Sequence, residues 1–176
     1  MSFVPSTFVA PREPHFTRFQ GVVLSPAVAD LDWQAVRASA DTMRHVFGPD
    51  NDWPDANISW ADNLADLTRH AREFDEQVAF VYALLGPSGS DYLGCVYIKP
   101  IKSKRMPDAR QQHFQAQVFF WLSSLHTVVA PAEVLAELKA WLQTAWPFAA
   151  VAFPGRVQSW ADWEALARSG TTENVT

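Results

Sequence analysis

The side chains able to do covalent or acid–base chemistry are few and scattered, and most familiar templates fail on their spacing. Histidines stand at positions 15, 45, 70, 113 and 126, with no ligand spacing among them and no paired-histidine zinc motif. Asp66 and His70 are four residues apart, as are Asp62 and Asp66, but a metal would need further ligands, so these read as surface residues and no metal site is expected. The loop Asp50-Asn51-Asp52-Trp53-Pro54-Asp55 is dense in acids and amides. It lacks the glycine at the sixth position and the glutamate at the twelfth that a calcium loop requires, so it reads as an Asx-rich turn. The single cysteine, Cys95, lies beside Gly94 and Val96 in an apolar run. It forms no intrachain disulfide and reads as a buried, inert thiol. Pro87-Ser88-Gly89 has its glycines at the wrong spacing for a nucleophile elbow. A dinucleotide glycine fingerprint and a phosphate-loop lysine are both missing. The one basic run, Lys99, Lys102, Lys104, Arg105 and Arg110, reads as a solvated loop in preference to an anion site.

The elements that would position any site follow from periodicity. Residues 19–24 form a short strand closed by Ser25-Pro26. Asp30 is a plausible N-cap for a first helix, whose stripe is Trp33, Val36, Ala40, Met43 and Phe47, ended by Gly48-Pro49. Ser59 with Asp62 resembles a capping box for a second helix with Trp60, Leu64, Leu67, Ala71 and Phe74 on one face. Residues 78–85 and 92–99 form a hairpin around a Gly-Pro-Ser-Gly turn, and residues 100–110 a polar loop. Residues 113–122 alternate, with Phe114, Ala116, Val118, Phe120 and Leu122 on one face and Gln115, Gln117, Phe119 and Trp121 on the other, which predicts a strand covered on both sides. A helix then begins near Pro131, with Val134, Leu135, Leu138, Trp141 and Leu142 apolar, and is stopped by Pro147. Residues 149–153 form a short strand, and Ser159 with Asp162 caps a last helix. The result is a mixed α+β order with a mostly antiparallel sheet and a right-handed crossover after the 113–122 strand.

With 176 residues, 48% of them hydrophobic, a single domain with a real core is expected over residues 17–168, with an extended arm over 1–16 and a disordered polar tail over 169–176. A net charge of −5 argues against nucleic acid as a partner. The N-terminus has no signal pattern and no stretch is long enough to span a membrane, so a cytoplasmic protein without a membrane partner is expected. The eight tryptophans read chiefly as core, although exposed ones are compatible with a homodimer.

This order resembles the Gcn5-related N-acetyltransferase (GNAT) superfamily. The pieces Asp32-Trp33-Gln34-Ala35-Val36, Asn51-Asp52-Trp53-Pro54, Asn63-Leu64-Ala65-Asp66-Leu67 with His70 and Glu73-Phe74, Leu93-Gly94-Cys95-Val96-Tyr97-Ile98, Trp146-Pro147-Phe148 and Phe153-Pro154-Gly155-Arg156 look like a divergent, little-described bacterial branch of it. The resemblance implies an acyl-CoA N-acyltransferase fold and acetyl-CoA as co-substrate, with a small-molecule or peptide amine as acceptor. It implies that the 113–122 strand splays from the 149–153 strand, that the pantetheine arm lies in the gap, and that the following loop and helix start hold the pyrophosphate. Mapped onto this chain, the cofactor-binding residues are Trp121, Leu122, Ser123, Ser124, Leu125, His126, Thr127 and Arg156. The family's glycine-containing loop is replaced here by Ser123-Ser124-Leu125-His126-Thr127-Val128-Val129-Ala130-Pro131, without glycine or arginine. His126 reads as a plain loop residue in preference to a phosphate donor, and Arg156 has the alternative of pairing with a surface carboxylate.

The resemblance also implies a general base, often working through water, and an acid, often a tyrosine on the last helix. No tyrosine stands near Ser159-Trp163; the three present, Tyr82, Tyr92 and Tyr97, are all on the hairpin. The candidates for catalysis are therefore Tyr97, His113 and Gln117, with packing or edge roles as the alternative for Tyr97 and His113. Two functions stand open: an N-acyltransferase, or a GNAT-fold ligand- or protein-binding module that has lost catalysis, as the missing glycines and tyrosine suggest.

Overall fold

The computed structural model describes residues 3–103 and 107–169. Five strands form one sheet in chain order: β1 (Gln20–Val23), β2 (Phe80–Leu85), β3 (Tyr92–Lys99), β4 (Ala116–Leu122) and β5 (Val151–Ala152). The first three pairings are antiparallel and β4–β5 is parallel. The helices are α1 (Ala29–Ser39), α2 (Trp60–Asp75), α3 (Ala109–His113), α4 (Pro131–Ala145) and α5 (Trp160–Ser169).

Strand pleating divides the core into two layers, since successive side chains leave opposite faces. Phe80, Tyr82 and Leu84 of β2 join Val118 and Phe120 of β4 and Val134, Leu138 and Leu142 of α4 in one cluster. Val81, Ala83 and Leu85 join Tyr97, Phe119 and Trp121 under α1 and α2 in the other. The alternation read from the sequence over 116–122 thus places both faces inside. Residues 3–16 pack on the α4 layer: Val4 and Ala10 are buried, and Tyr82 Oη donates to the Pro11 carbonyl at 2.7 Å. β3 and β4 approach so closely that a Cβ on Gly94 would lie 2.0 Å from the Trp121 carbonyl oxygen, and Gly94 has φ +143°. Only glycine fits there.

Four elements differ from the sequence expectation. The strand expected from His113 starts at Ala116, because Asp108 caps a helical turn by accepting from the Arg110 N–H at 2.9 Å, and His113 ends that turn. This α3 lies inside the stretch read as a polar loop. The first helix stops at Ser39 and does not continue to Phe47. Thr42 Oγ1 donates to the Ser39 carbonyl at 2.9 Å, and the Ser39 hydroxyl accepts from the Ser124 N–H at 2.9 Å, so local side-chain bonds displace the helical ladder. Asp30 lies in the first turn of α1, with Val28 at the cap. β5 is only two residues long. Lys104 and Arg105 of the basic run, and the tail beyond Ser169, lie outside the described residues. Among the described residues no helix is long and apolar enough to cross a membrane.

Candidate functional site

The short β5 opens a cleft beside β4. β4 and β5 pair only at Ala116–Val151 and Gln117–Ala152, and β4 then runs on to Leu122 beside β3 but without β5. The Ser123 N–H donates to the Leu93 carbonyl of β3 at 2.8 Å. Backbone groups alternate sides along a strand, so Phe120 and Leu122 turn theirs away from β3, towards the side β5 no longer covers. The chain diverges there because Pro154 has no N–H to continue a ladder and Gly155, at φ +77°, turns it aside. A Cβ on Gly155 would sit 2.7 Å from the Trp160 indole nitrogen, so the turn is folded tightly onto the start of α5.

This wedge is a cleft of about 300 Å³. Its floor is the Phe119–Leu122 stretch of β4. One wall is the irregular turn after α1, including Thr42, Arg44, His45 and Val46; the other is Pro154, Gly155, Arg156 and Trp160. Trp160 stacks on Phe119, with centroids 6.2 Å apart and planes 14° apart. Arg156 reaches across the wedge. It donates from Nη2 to the Phe120 carbonyl at 3.0 Å and places its guanidinium carbon 3.7 Å from the centroid of the Phe120 ring. Burial pushes its pKa down, and no carboxylate pairs with it among the described residues. Arg44 stands opposite, loosely paired with Asp41 at 3.5 Å. His45 holds φ +63°, a left-handed conformation uncommon for a residue with a side chain. The cleft therefore combines an uncovered strand edge, two arginines, a histidine and an aromatic stack.

The residues expected to bind a cofactor separate into two groups. Trp121, Leu122 and Arg156 line the wedge. Ser123, Ser124, Leu125, His126 and Thr127 do not. Ser123 Oγ accepts from the Leu125 N–H at 3.1 Å, and Ser124 Oγ donates to the Ala38 carbonyl at 2.8 Å, so both hydroxyls are spent on internal bonds. His126 Nδ1 turns to Asp91 at 4.0 Å, and Leu125 and Thr127 are exposed. At the start of α4, Glu133 occupies the electropositive first turn and Arg18 bridges it to the Val128 carbonyl, at 3.1 and 2.6 Å.

The three residues expected in catalysis lie apart from the wedge. Tyr97 is buried beneath α2, its hydroxyl accepting the Trp121 indole N–H at 3.2 Å, and burial pushes its pKa well above the usual phenol range. His113 is exposed at the end of α3. Gln117 donates to the Pro100 carbonyl at 3.1 Å. The wall residues 42–46 were missed because a helix drawn through to Phe47 puts Arg44 and His45 on its solvent face. The only available signal was Ser39 and Thr42, side chains that compete with helical hydrogen bonds. Among the described residues no three His, Cys, Asp or Glu side chains gather as a metal site.

No family model matches the chain, and no curated protein resembles it in sequence. Solved structures do resemble it in fold. A protein described as a GnaT-family acetyltransferase from Bordetella pertussis superposes with TM-score 0.53 over 74% of this chain and 72% of its own, at 15% identity. An acetyltransferase from Salmonella typhimurium that modifies the N-terminal serine of ribosomal protein L7/L12 gives 0.52 over 88% and 80%, at 11%. The microcin C7 self-immunity acetyltransferase MccE, solved with acetyl-CoA and AMP, gives 0.51 over 74% and 67%, at 9%. The fold is that of the GNAT acyl-CoA N-acyltransferases, a mixed sheet that is antiparallel except at the splayed β4–β5 pair.

Proposed function

We propose that the protein transfers an acyl group from an acyl-CoA, acetyl-CoA in the first instance, to the amine of a small molecule or peptide. The observation that carries this reading is the uncovered edge of β4 beyond Gln117, opening into a cleft that holds two arginines. That edge offers backbone donors and acceptors to an amide-bearing chain, and guanidinium groups suit phosphate oxygens. The side chains present fit such a ligand, with one departure. The first turn of α4 is already balanced by Glu133 and Arg18, so Arg44 and Arg156 are the residues that would hold the phosphates. Salmonella acetyltransferase and MccE, which share the fold, act on an N-terminal serine and carry acetyl-CoA respectively.

When bound, an acyl-CoA would supply the acyl group as an activated thioester. The chain's own contribution is positioning and proton transfer. Phe120 and Leu122 orient the donor along the strand edge, and the Phe119–Trp160 stack closes one side to water. His45 is the imidazole in the cleft, and it is the side chain assigned to take a proton from the attacking amine. Its backbone is left-handed, a conformation that carries strain of the kind found at functional positions.

The test is release of free thiol from acetyl-CoA in the presence of a panel of amines and N-terminal peptides. Turnover is expected, and His45→Gln is expected to lower it about a hundredfold with little change in donor affinity. Thiol release that no amine stimulates would contradict the reading. The second reading, a binding module without catalysis, is favoured by one observation: Ser123 and Ser124 spend their hydroxyls on internal bonds.

A further inference from the structure

A second pocket lies on the α1–α2 side of the sheet, apart from the wedge. Phe47 stands between the two, packing edge-on against Phe119 at 5.4 Å and against Tyr97 at 4.9 Å. The pocket encloses about 210 Å³, well beyond the share of one or two waters at about 30 Å³ each. Phe47, Trp53 and Tyr97 supply three aromatic walls, with Trp53 5.2 Å from Phe47 and 6.4 Å from Tyr97.

Its polar groups are unevenly satisfied. The acids are occupied. Asp66 accepts from Arg69 at 3.0 Å, and Asp32 accepts from the Tyr92 hydroxyl and faces Cys95 Sγ at 3.6 Å. Arg69 is shared between Asp66 and Glu73. Two donors are not occupied. Asn63 is 3% exposed, and its Nδ2 has no hydrogen-bond partner, although it lies near enough to Asp32 to weigh on that carboxyl's titration. Lys99 rests its ammonium 4.8 Å from the Phe47 centroid and 5.1 Å from that of Tyr97, with no ion pair among the described residues. A buried amide without an acceptor and an ammonium without an anion are both costly unless something completes them. What completes both is an acceptor carrying negative charge, and the ring walls suit a flat apolar body attached to it.

We infer that this pocket binds a small organic acid, its carboxylate held by Lys99 and Asn63 and its apolar body between Trp53, Phe47 and Tyr97. The site stands independently of the acyl-transfer reading, because no wedge residue takes part. A cation seated among the rings is the competing occupant, and the Lys99 ammonium beside two of the three rings repels it.

The experiment is calorimetric titration of the full chain, without any CoA compound, using 3-phenylpropionate, phenylalanine, 3-phenylpropanamide and phenethylamine. Saturable binding of one or both carboxylates at one site per chain is expected, with the amide about tenfold weaker or worse. Phenylalanine binding would identify an amine-bearing acid and phenylpropionate binding alone a simple acid; either supports the site. Lys99→Met, which keeps the aliphatic stem, should lower carboxylate affinity about tenfold while Lys99→Arg retains most of it. Circular dichroism melting checks that both variants are folded, and Trp53→Leu serves as an independent variant, expected to weaken binding of both acids. Equal binding of amide and acid, tighter binding of phenethylamine, or no heat at millimolar ligand would each overturn the inference.

Discussion

The Arg156 guanidinium donates to the Phe120 carbonyl at 3.0 Å and lies over the same residue's ring, 3.7 Å from its centroid. One side chain thereby covers the strand edge at the point where β5 has left it. An arginine held in that way, with no carboxylate beside it, is ready to exchange a neutral carbonyl for an anionic partner, since charge-assisted hydrogen bonds are stronger than neutral ones. Arg156→Met is therefore expected to weaken CoA binding by about tenfold to a hundredfold, with melting temperature nearly unchanged, and Arg156→Lys to recover only part of the loss. Unchanged or tighter binding in Arg156→Met would show that the arginine only obstructs the edge.

Gly94 sets the spacing of the strands that carry the cleft. A methyl group there meets the Trp121 carbonyl at 2.0 Å, on backbone that cannot move without breaking the β3–β4 ladder, and φ is already +143°. Gly94→Ala is expected to cost about 4 kcal/mol or more, or to prevent folding. Gly155→Ala meets the Trp160 ring, part of a side chain at the surface of the wedge, and should cost less, about 1–3 kcal/mol. Urea unfolding of the two variants checks the order; equal stabilities would contradict it.

His70 makes stability depend on pH. Burial, together with Arg69 and Lys99 nearby, pushes its pKa from 6.5 down to about 4, against the opposing pull of Glu73. The unfolded chain takes up a proton near pH 6.5, and the folded chain only near pH 4. The stabilising contribution is therefore complete above about pH 6.5 and is lost as pH falls towards 4, amounting to roughly 3 kcal/mol. Asp108, held near 2 chiefly by Arg110, loses its own contribution only below about pH 4, so the windows separate. His70→Phe should lose less stability than the parent between pH 7.5 and 4.5, measured by urea midpoints at constant slope. Parallel losses in both proteins would show that His70 is not the titrating group.

The larger elements were legible where pattern and chemistry agree. Ser59 and Ser159 cap α2 and α5 as read, each hydroxyl accepting from the N–H three residues on, at 3.0 and 3.1 Å. The alternation over 116–122 placed Phe119 and Trp121 on one face and Val118 and Phe120 on the other. The site was legible only in part. Trp121, Leu122 and Arg156 could be placed because they flank the splay itself. Residues 123–127 could not, since the Ser124 N–H and hydroxyl are taken by Ser39 and Ala38, partners some 85 positions away that periodicity does not reveal. His45 was hidden by a hydrophobic stripe that persists through Met43 and Phe47 although the backbone there has left the helix. The unpaired donors of Asn63 and Lys99 depend on what three separate elements bring to one pocket, and no local spacing reports that.

The wedge between β4 and residues 153–156 is the proposed donor site. Calorimetric titration of acetyl-CoA into the purified chain, with ADP as the control for phosphate contacts alone, addresses it most directly. One saturable site per chain at micromolar acetyl-CoA, weakened in Arg156→Met and much weaker for ADP, is the expected result. No heat at millimolar acetyl-CoA from a folded protein would contradict it and leave the wedge without its proposed ligand.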